Sequence, residues 1–157
     1  MIDPDTFRAI LGRFATGVTV VTTRDGEGRD HGMTVSAFAS VSLTPPLVLA
    51  CIAHDAEMHA SIAGSAHFGV SILAASQEAL SRRFSDSLPD RFDGVGYRRG
   101  ETGVILLDDA LAQLECTVTA RHPAGDHTII VGQVEGGTVR HGVPLLYYRG
   151  GYAQLER

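Results

Sequence analysis

The longest alternating pattern in the chain covers residues 32–46, GMTVSAFASVSLTPP. Its apolar positions are Met33, Val35, Ala37, Ala39, Val41 and Leu43, and the positions between them are Thr34, Ser36, Phe38, Ser40 and Ser42. Because successive side chains of a strand point to opposite faces, this pattern predicts one long strand that ends at a Pro-Pro pair. Small hydroxyls let a flat ligand approach the backbone. The polar face is therefore either a ligand shelf or the solvent face of an ordinary half-buried strand.

Most of the remaining pattern also predicts strands. They are expected at 18–23, 47–52, 67–73, 112–121, 127–134, 145–148 and 152–155. The run at 47–52 is continuously apolar, which indicates a strand buried on both faces. Antiparallel strands in this number, with few helices, predict a mainly β fold in one domain, 1–157, closed or nearly closed into a barrel.

Three short helices are expected around this barrel. Asp3 and Pro4 open the first, which carries an apolar stripe of Phe7, Ile10, Leu11 and Phe14. Asp55 is the expected N-cap of the second helix, and the third covers 76–84. The polar, glycine-rich segment 85–103 is expected to be an irregular loop, and loops of that length in a small domain are usually functional or mobile.

Composition excludes several classes of protein. The chain has 157 residues, a formal charge of -5 and a pI near 5.7, so it offers no basic surface for nucleic acid. No apolar run is long enough to span a membrane, and the first residues are acidic where a signal peptide is basic, so we expect a cytoplasmic protein. Cys51 and Cys116 lie in apolar runs and are expected to be buried free thiols.

Familiar catalytic motifs are missing from the sequence. It has no GxGxxG after a strand, no Walker A loop, no HExxH, no CxxC and no GxSxG. None of the seven histidines pairs with another at i+2 or i+4, so no metal site is expected. A nucleophile triad is equally unsupported, because none of the serines lies in a strained turn context.

Three isolated features could serve a ligand. His127 follows a turn and starts a strand, so its imidazole is either a ligand contact at the barrel rim or a hydrated turn residue. Arg82 and Arg83, followed by Phe84, could attract an anion or simply be solvated at a helix end. The segment 147–152, YYRGGY, suits either stacking on a flat ligand or an oligomer interface.

Taken together, these segments resemble the flavin reductase family over nearly the whole chain. The resemblance rests on FATGVTVVT, GMTVSAFASVSL, PPLV, GDH and PLLYYRGGY, which occur in that order at 14–22, 32–43, 45–48, 125–127 and 144–152. It implies a Greek-key split β-barrel of the FMN-binding type that forms a homodimer. It also implies that FMN or FAD binds at the subunit interface.

The resemblance also implies roles for particular residues. Flavin would be bound by Thr34, Val35, Ser36, Ala37, Ser40, Ser42, Ala50, Cys51, Ile52, Arg83 and Phe84. NADH or NADPH would be held by His127, Tyr148, Arg149 and Tyr152, with His127 as the catalytic residue. In such proteins a Ser-x-Thr pair commonly enters the short helix, where this chain has Ala56-Glu57-Met58. A carboxylate there repels phosphate, which leaves the choice between FMN and FAD open.

The function implied by the resemblance is hydride transfer from NAD(P)H to flavin. The cofactors perform the difficult chemistry, which agrees with the missing nucleophile and metal motifs. Reduced flavin would then pass to a transient partner, a flavin-dependent monooxygenase. Two alternatives remain: a flavin-binding electron carrier that does not oxidise NAD(P)H, and a non-catalytic interaction protein that binds no flavin.

Overall fold

Antiparallel strands dominate the computed structural model, which describes residues 1–156. Its helices are α1 Pro4–Leu11, α2 Glu57–Ala63 and α3 Glu78–Ser85, and a 3₁₀ turn, Ala75–Gln77, precedes α3. Its strands are β1 Thr16–Gly17, β2 Thr19–Arg24, β3 Asp30–Val35, β4 Phe38–Leu43, β5 Pro46–Ala53, β6 His67–Ile72, β7 Tyr97–Arg99, β8 Ile105–Leu107, β9 Ala112–Ala124, β10 His127–Val139, β11 Leu145–Tyr148 and β12 Gly151–Gln154. The predicted mainly β class with a few peripheral helices is confirmed.

Seven strands form the main sheet in the order β3-β2-β6-β9-β10-β5-β4, and every neighbouring pair is antiparallel. The two edge strands, β3 and β4, are consecutive in the chain and are joined by only Ser36 and Ala37. A two-residue link spans a few ångströms, so the sheet must curl until its two edges approach each other there. The barrel is split at this point, since no ladder pairs β3 with β4 within residues 1–156.

The expected single strand over 32–46 is wrong, because the chain changes edge at Ser36 and Ala37. Val35 on β3 is buried, whereas Phe38, the first residue of β4, packs against the same core. The odd-numbered residues therefore face the core before the link, and the even-numbered residues face it after the link. As a result the expected apolar face is turned outward along β4, where Leu43 is 89% exposed.

Two hairpins have the backbone conformations that their turn residues favour. Gly125 adopts a φ of 63° between β9 and β10. Arg149 and Gly150 both have positive φ, 54° and 76°, between β11 and β12. Two central residues with positive φ suit the right-handed twist of a tight hairpin. This hairpin joins β1 in a small three-stranded sheet, so the segment 147–152 lies beside the start of the chain.

The core lies inside the curled sheet and beneath two helices. Met58 and Ile62 of α2 pack into the main cluster with Phe68 of β6. A second cluster places Phe84 of α3 against Leu145 of β11. The expected burial of β5 on both faces is wrong: its residues alternate between buried and partly exposed, so one face points away from the core.

Both cysteines are free, as expected. Cys116 is fully buried, and burial together with the nearby carboxylates of Glu135 and Glu115 raises the pKa of its thiol to about 12. Cys51 is only partly buried, on the outward side of β5. Burial also raises the pKa of the Cys51 thiol.

Helix α1 begins as predicted, but it does not pack its stripe against the core. Asp3 is the N-cap, and its carboxylate accepts a hydrogen bond from the Thr6 backbone N–H at 2.9 Å. The four stripe residues are all exposed: Phe7, Ile10, Leu11 and Phe14. The expected cap at Asp55 is wrong, because Ala56 occupies the N-cap of α2 and makes no side-chain capping bond. No helix within residues 1–156 is both long and apolar enough to cross a membrane.

Candidate functional site

A groove runs between strand β3 and helix α3 and is formed by two adjoining cavities. The first, of about 190 Å³, is lined by Val18, Thr34, Ser36, Ser81, Ser85, Tyr147 and Tyr152. The second, of about 260 Å³, is lined by Met33, Thr34, Asp55, Ala56, Glu57, Met58, Phe84, Ser85, Ser87 and Arg91. Because Thr34 and Ser85 line both cavities, the two cavities adjoin, and together they are called the groove.

The first cavity has two tyrosine rings on one side and small hydroxyls on the other. The rings of Tyr147 and Tyr152 lie 5.7 Å apart in an edge-to-face arrangement. Ser36 and its neighbour Ala37 are exposed and lie outside the ladders of both β3 and β4. Their carbonyls already accept bonds from Phe38 and Cys51, so the donors that this link can offer are its N–H groups and the Ser36 hydroxyl. Flat walls with donors at one edge suit an aromatic ring that has polar edge atoms.

Ser81 of α3 connects the parts of this cavity. Its carbonyl accepts hydrogen bonds from the Thr34 hydroxyl at 2.6 Å and from the Ser85 hydroxyl at 2.8 Å. Its own hydroxyl, fully buried, is bonded to the Tyr152 hydroxyl at 2.7 Å. The Arg82 guanidinium lies over the Tyr152 ring, 4.8 Å from its centroid. Strands β3 and β12 are therefore both tied to helix α3 through one residue at the floor of the groove.

The second cavity is charged. Arg91 donates to the Gly32 carbonyl at 2.7 Å and to the Glu57 carboxylate at 3.0 Å. Glu57 is the first residue of α2, and Met58 beside it is buried in the core. The residues that replace the expected Ser-x-Thr pair thus contribute a carboxylate and a core side chain to this end of the groove, and the cation comes from the loop that contains Arg91.

Phe84 lines the second cavity and Arg83 lies near it, but both side chains interact mainly with the protein itself. Arg83 donates to the carbonyls of Arg91, Asp90 and Asp93, and so fixes the loop that carries Arg91. Phe84 is 1% exposed and packs beneath Gly32. A side chain at Gly32 would place a Cβ 3.1 Å from that ring, so the ring would have to shift to admit it.

The structure brings together only some of the residues predicted to bind flavin. Thr34 and Ser36 line the groove with Tyr152, and Ala37 belongs to the same link. The side chains of Val35, Ala50 and Ile52 lie in the core. Ser40 and Ser42 lie farther along β4, and Cys51 is on the outward face of β5. Tyr148 and Arg149 are exposed at the β11–β12 turn, beside the groove rather than in its lining. These assignments to flavin and nicotinamide remain predictions.

His127 lies at the start of β10, opposite Ala53 of β5. Its Nδ1 is 2.7 Å from the Asp126 carboxylate, and its side chain is 43% exposed. This hydrogen bond and the charge of His127 lower the pKa of Asp126. The imidazole lies at the rim, as predicted, but it lines neither cavity of the groove in the part of the chain that is described. Its role with the nicotinamide nucleotide remains a prediction.

Several groove residues were not singled out from the sequence. Ser81 and Ser85 are one helical turn apart on α3, a spacing that could have placed both on the same helix face. Arg91 lies in the segment expected to be irregular, where no periodicity indicates the direction of a side chain. Ser71, by contrast, is buried and accepts a hydrogen bond from the Leu107 N–H at 2.9 Å, so it serves the fold.

Comparison with known proteins agrees with this architecture. Residues 11–156 match the model of the flavin reductase like domain. An NADH-dependent flavin reductase from Rhodococcus sp. is 49% identical over 99% of this chain and 88% of its own length. The reductase subunit HsaB of a flavin-dependent monooxygenase from Mycobacterium tuberculosis is 40% identical over 99% of this chain and 84% of its own.

Solved structures agree as well. The NADH:FAD oxidoreductase SgcE6 of Streptomyces globisporus C-1027, in complex with NAD and FAD fragments, has a TM-score of 0.93 against this chain at 39% identity. The match covers 99% of this chain and 96% of that one. Together with the family model, which matches well over half of the chain, these relatives show that the protein belongs to the flavin reductase like domain family.

Proposed function

We propose that this protein is an NAD(P)H-dependent flavin reductase whose groove holds the flavin ring against the Thr34–Ser36 edge and the flavin phosphate near Arg91. The activity predicted from the sequence is supported by the NADH-dependent relatives. The observation in the structure that carries the proposal is the pair of adjoining cavities, one lined by hydroxyls and tyrosine rings and the other by charged side chains. Its shape and donors fit a molecule that has an aromatic ring and a phosphate.

The chain's own residues position the reactants. When bound, flavin and the nicotinamide nucleotide supply the hydride chemistry. The protein must hold the two rings at close range and satisfy the polar edge of the flavin. The Ser36–Ala37 link offers donors to that edge, and Tyr147 and Tyr152 form an aromatic wall that a second flat ring can contact.

The test is loss of the reduced-nicotinamide absorbance when FMN, FAD or no flavin is added to the purified protein. We expect flavin-dependent oxidation of NADH or NADPH. If His127 holds the nicotinamide nucleotide, His127→Ala raises the KM for that nucleotide more than it lowers kcat. Flavin binding without oxidation of either nucleotide would refute the reductase and favour the electron carrier. Absence of both would favour the interaction protein.

A homodimer is part of the proposal, and the outer face of the sheet supports it. Register places Ala39, Leu49 and Val131 side by side on β4, β5 and β10, and Cys51 beside Ile129. These apolar residues face away from the core, and Val41 on the same edge is 48% exposed. A contiguous apolar surface of this kind is typical of a protein–protein interface.

Light scattering after size-exclusion chromatography tests the dimer. We expect the wild-type mass to be twice that of one chain and Val41→Asp to reduce it to a single chain. Leu88→Asp is a matched control, since Leu88 has the same exposure, 48%, but lies in a loop. A wild-type protein that runs as a single chain at micromolar concentration would refute the dimer.

We further propose that reduced flavin leaves the groove and serves a transiently bound flavin-dependent monooxygenase. Support comes from relatives that are reductase subunits of such enzymes. Under anaerobic conditions, an acceptor dye separated from the protein by a dialysis membrane should be reduced when NADH and flavin are present. Flavin that is reduced but retained with the protein would contradict the diffusing role.

A further inference from the structure

The Glu57–Arg91 ion pair lies at the charged end of the groove, where we propose that the flavin phosphate binds. Arg91 is the one basic side chain among the described residues that line the charged cavity, and it is only 14% exposed. Its Nη1 is fixed by the Gly32 carbonyl, on the strand that continues into the Thr34 edge. The guanidinium is thus held at a set position relative to the ring end of the groove.

Within residues 1–156, the Glu57 side chain has Arg91 as its one hydrogen-bond partner. Its side chain is 73% exposed, and its carboxylate makes its ion pair with Arg91 across 34 positions of sequence. Asp55 adds a second carboxylate to the same cavity. With two carboxylates and one guanidinium, this lining has a net negative charge, which opposes the binding of an anion.

From this arrangement we infer that Glu57 competes with flavin phosphate for Arg91. The guanidinium has a planar set of donors that suits carboxylate and phosphate equally well, so the two anions exclude each other at Nη2. Because the Glu57 side chain is 73% exposed, phosphate can displace its carboxylate, but only at a cost in affinity. The inference rests on the proposed function and deepens it: Glu57 weakens binding of phosphorylated flavins, which favours flavin as an exchanging substrate.

The decisive variant is Glu57→Gln, which removes the charge and keeps the length of the side chain. The measurement is equilibrium binding from quenching of flavin fluorescence, with FMN and with riboflavin, which has the same ring and no phosphate. Glu57→Gln removes both an exposed ion pair and a charge that repels phosphate. These two effects together correspond to about a three- to tenfold change in the affinity for FMN. We expect Glu57→Gln to lower the Kd for FMN by about that factor and to leave riboflavin unchanged. Added salt screens charges, so it should reduce the difference in Kd for FMN between Glu57→Gln and the wild-type protein.

Two further variants complete the design. Arg91→Gln should raise the Kd for FMN about tenfold or more without changing riboflavin. Glu27→Gln is the matched control, because Glu27 is also an exposed carboxylate, 76% accessible, paired with an arginine, and lies in the β2–β3 loop. It should leave both affinities unchanged. Thermal unfolding of each variant confirms that it is folded.

The outcomes separate the inference from the function on which it rests. If Glu57→Gln changes FMN and riboflavin equally, or changes neither, Glu57 does not compete for Arg91 and the inference is overturned while the reductase stands. If the wild-type protein binds neither flavin, the proposed function is overturned and the inference with it. The inference and the proposed function are both supported if Glu57→Gln binds FMN more tightly, Arg91→Gln binds FMN more weakly, and neither variant changes the affinity for riboflavin.

Discussion

The hydroxyl of Tyr152 stabilises the floor of the groove, and Tyr152→Phe isolates its contribution. The substitution removes the 2.7 Å bond to the fully buried Ser81 hydroxyl and keeps the aromatic ring beneath the Arg82 guanidinium. A buried polar group that loses its partner costs about 1–3 kcal/mol. For a chain of this size, each kcal/mol corresponds to a change in Tm of about 2–4 °C.

Urea unfolding of Tyr152→Phe and Tyr147→Phe at one protein concentration measures this cost. Tyr147 contributes to the same cavity, but its hydroxyl makes no hydrogen bond within residues 1–156, so Tyr147→Phe should change the free energy of unfolding by less than about 0.5 kcal/mol. Tyr152→Phe should lower it by about 1–3 kcal/mol with an unchanged m-value. Equal free energies of unfolding for the two variants would refute the argument that the hydrogen bond between the Ser81 and Tyr152 hydroxyls stabilises the fold.

Two further predictions concern stability. A Cβ at Gly132 would lie 2.5 Å from the Phe68 ring, so Gly132→Ala should lower the free energy of unfolding by about 1–3 kcal/mol, whereas Gly136→Ala, which meets nothing within 4 Å, should not. Burial raises the pKa of Glu115, but hydrogen bonds from the Thr102 N–H and hydroxyl outweigh it and the pKa is lowered. Its stabilisation is therefore present above the unfolded value of 4.5 and is lost as pH falls through the lower folded pKa. Urea unfolding between about pH 3 and pH 7 should show that acidification lowers the free energy of unfolding of Glu115→Gln less than that of the wild-type protein. An equal decrease in both proteins would contradict this role of Glu115.

Local pattern was a good guide to elements whose signal lies in neighbouring residues. The helix N-cap at Asp3 lies where the sequence predicts, and so do the strands on either side of the turns at Gly125 and Gly150. In each case the physical cause acts within one turn of a helix or within one hairpin. The mainly β class followed from the same short-range signals.

Local pattern failed where two distant parts of the chain decide the outcome. The alternation through 32–46 is continuous, yet Ser36 and Ala37 carry the chain from one edge of the sheet to the other, and the inward face is exchanged. Alternation reports only that neighbouring side chains point in opposite directions. It does not report which side of a curled sheet becomes the inside.

The sequence by itself determined the class of fold, the family and the strand that carries the edge of the groove, because these depend on short-range periodicity and on ordered local motifs. Only the tertiary structure decided which side chains meet there. Thr34 meets Ser81 across 47 positions, and Glu57 meets Arg91 across 34. Such pairs form because the curling of the sheet and the packing of α3 bring distant parts of the chain together. The conformational preferences of neighbouring residues carry no information about contacts so far apart in sequence.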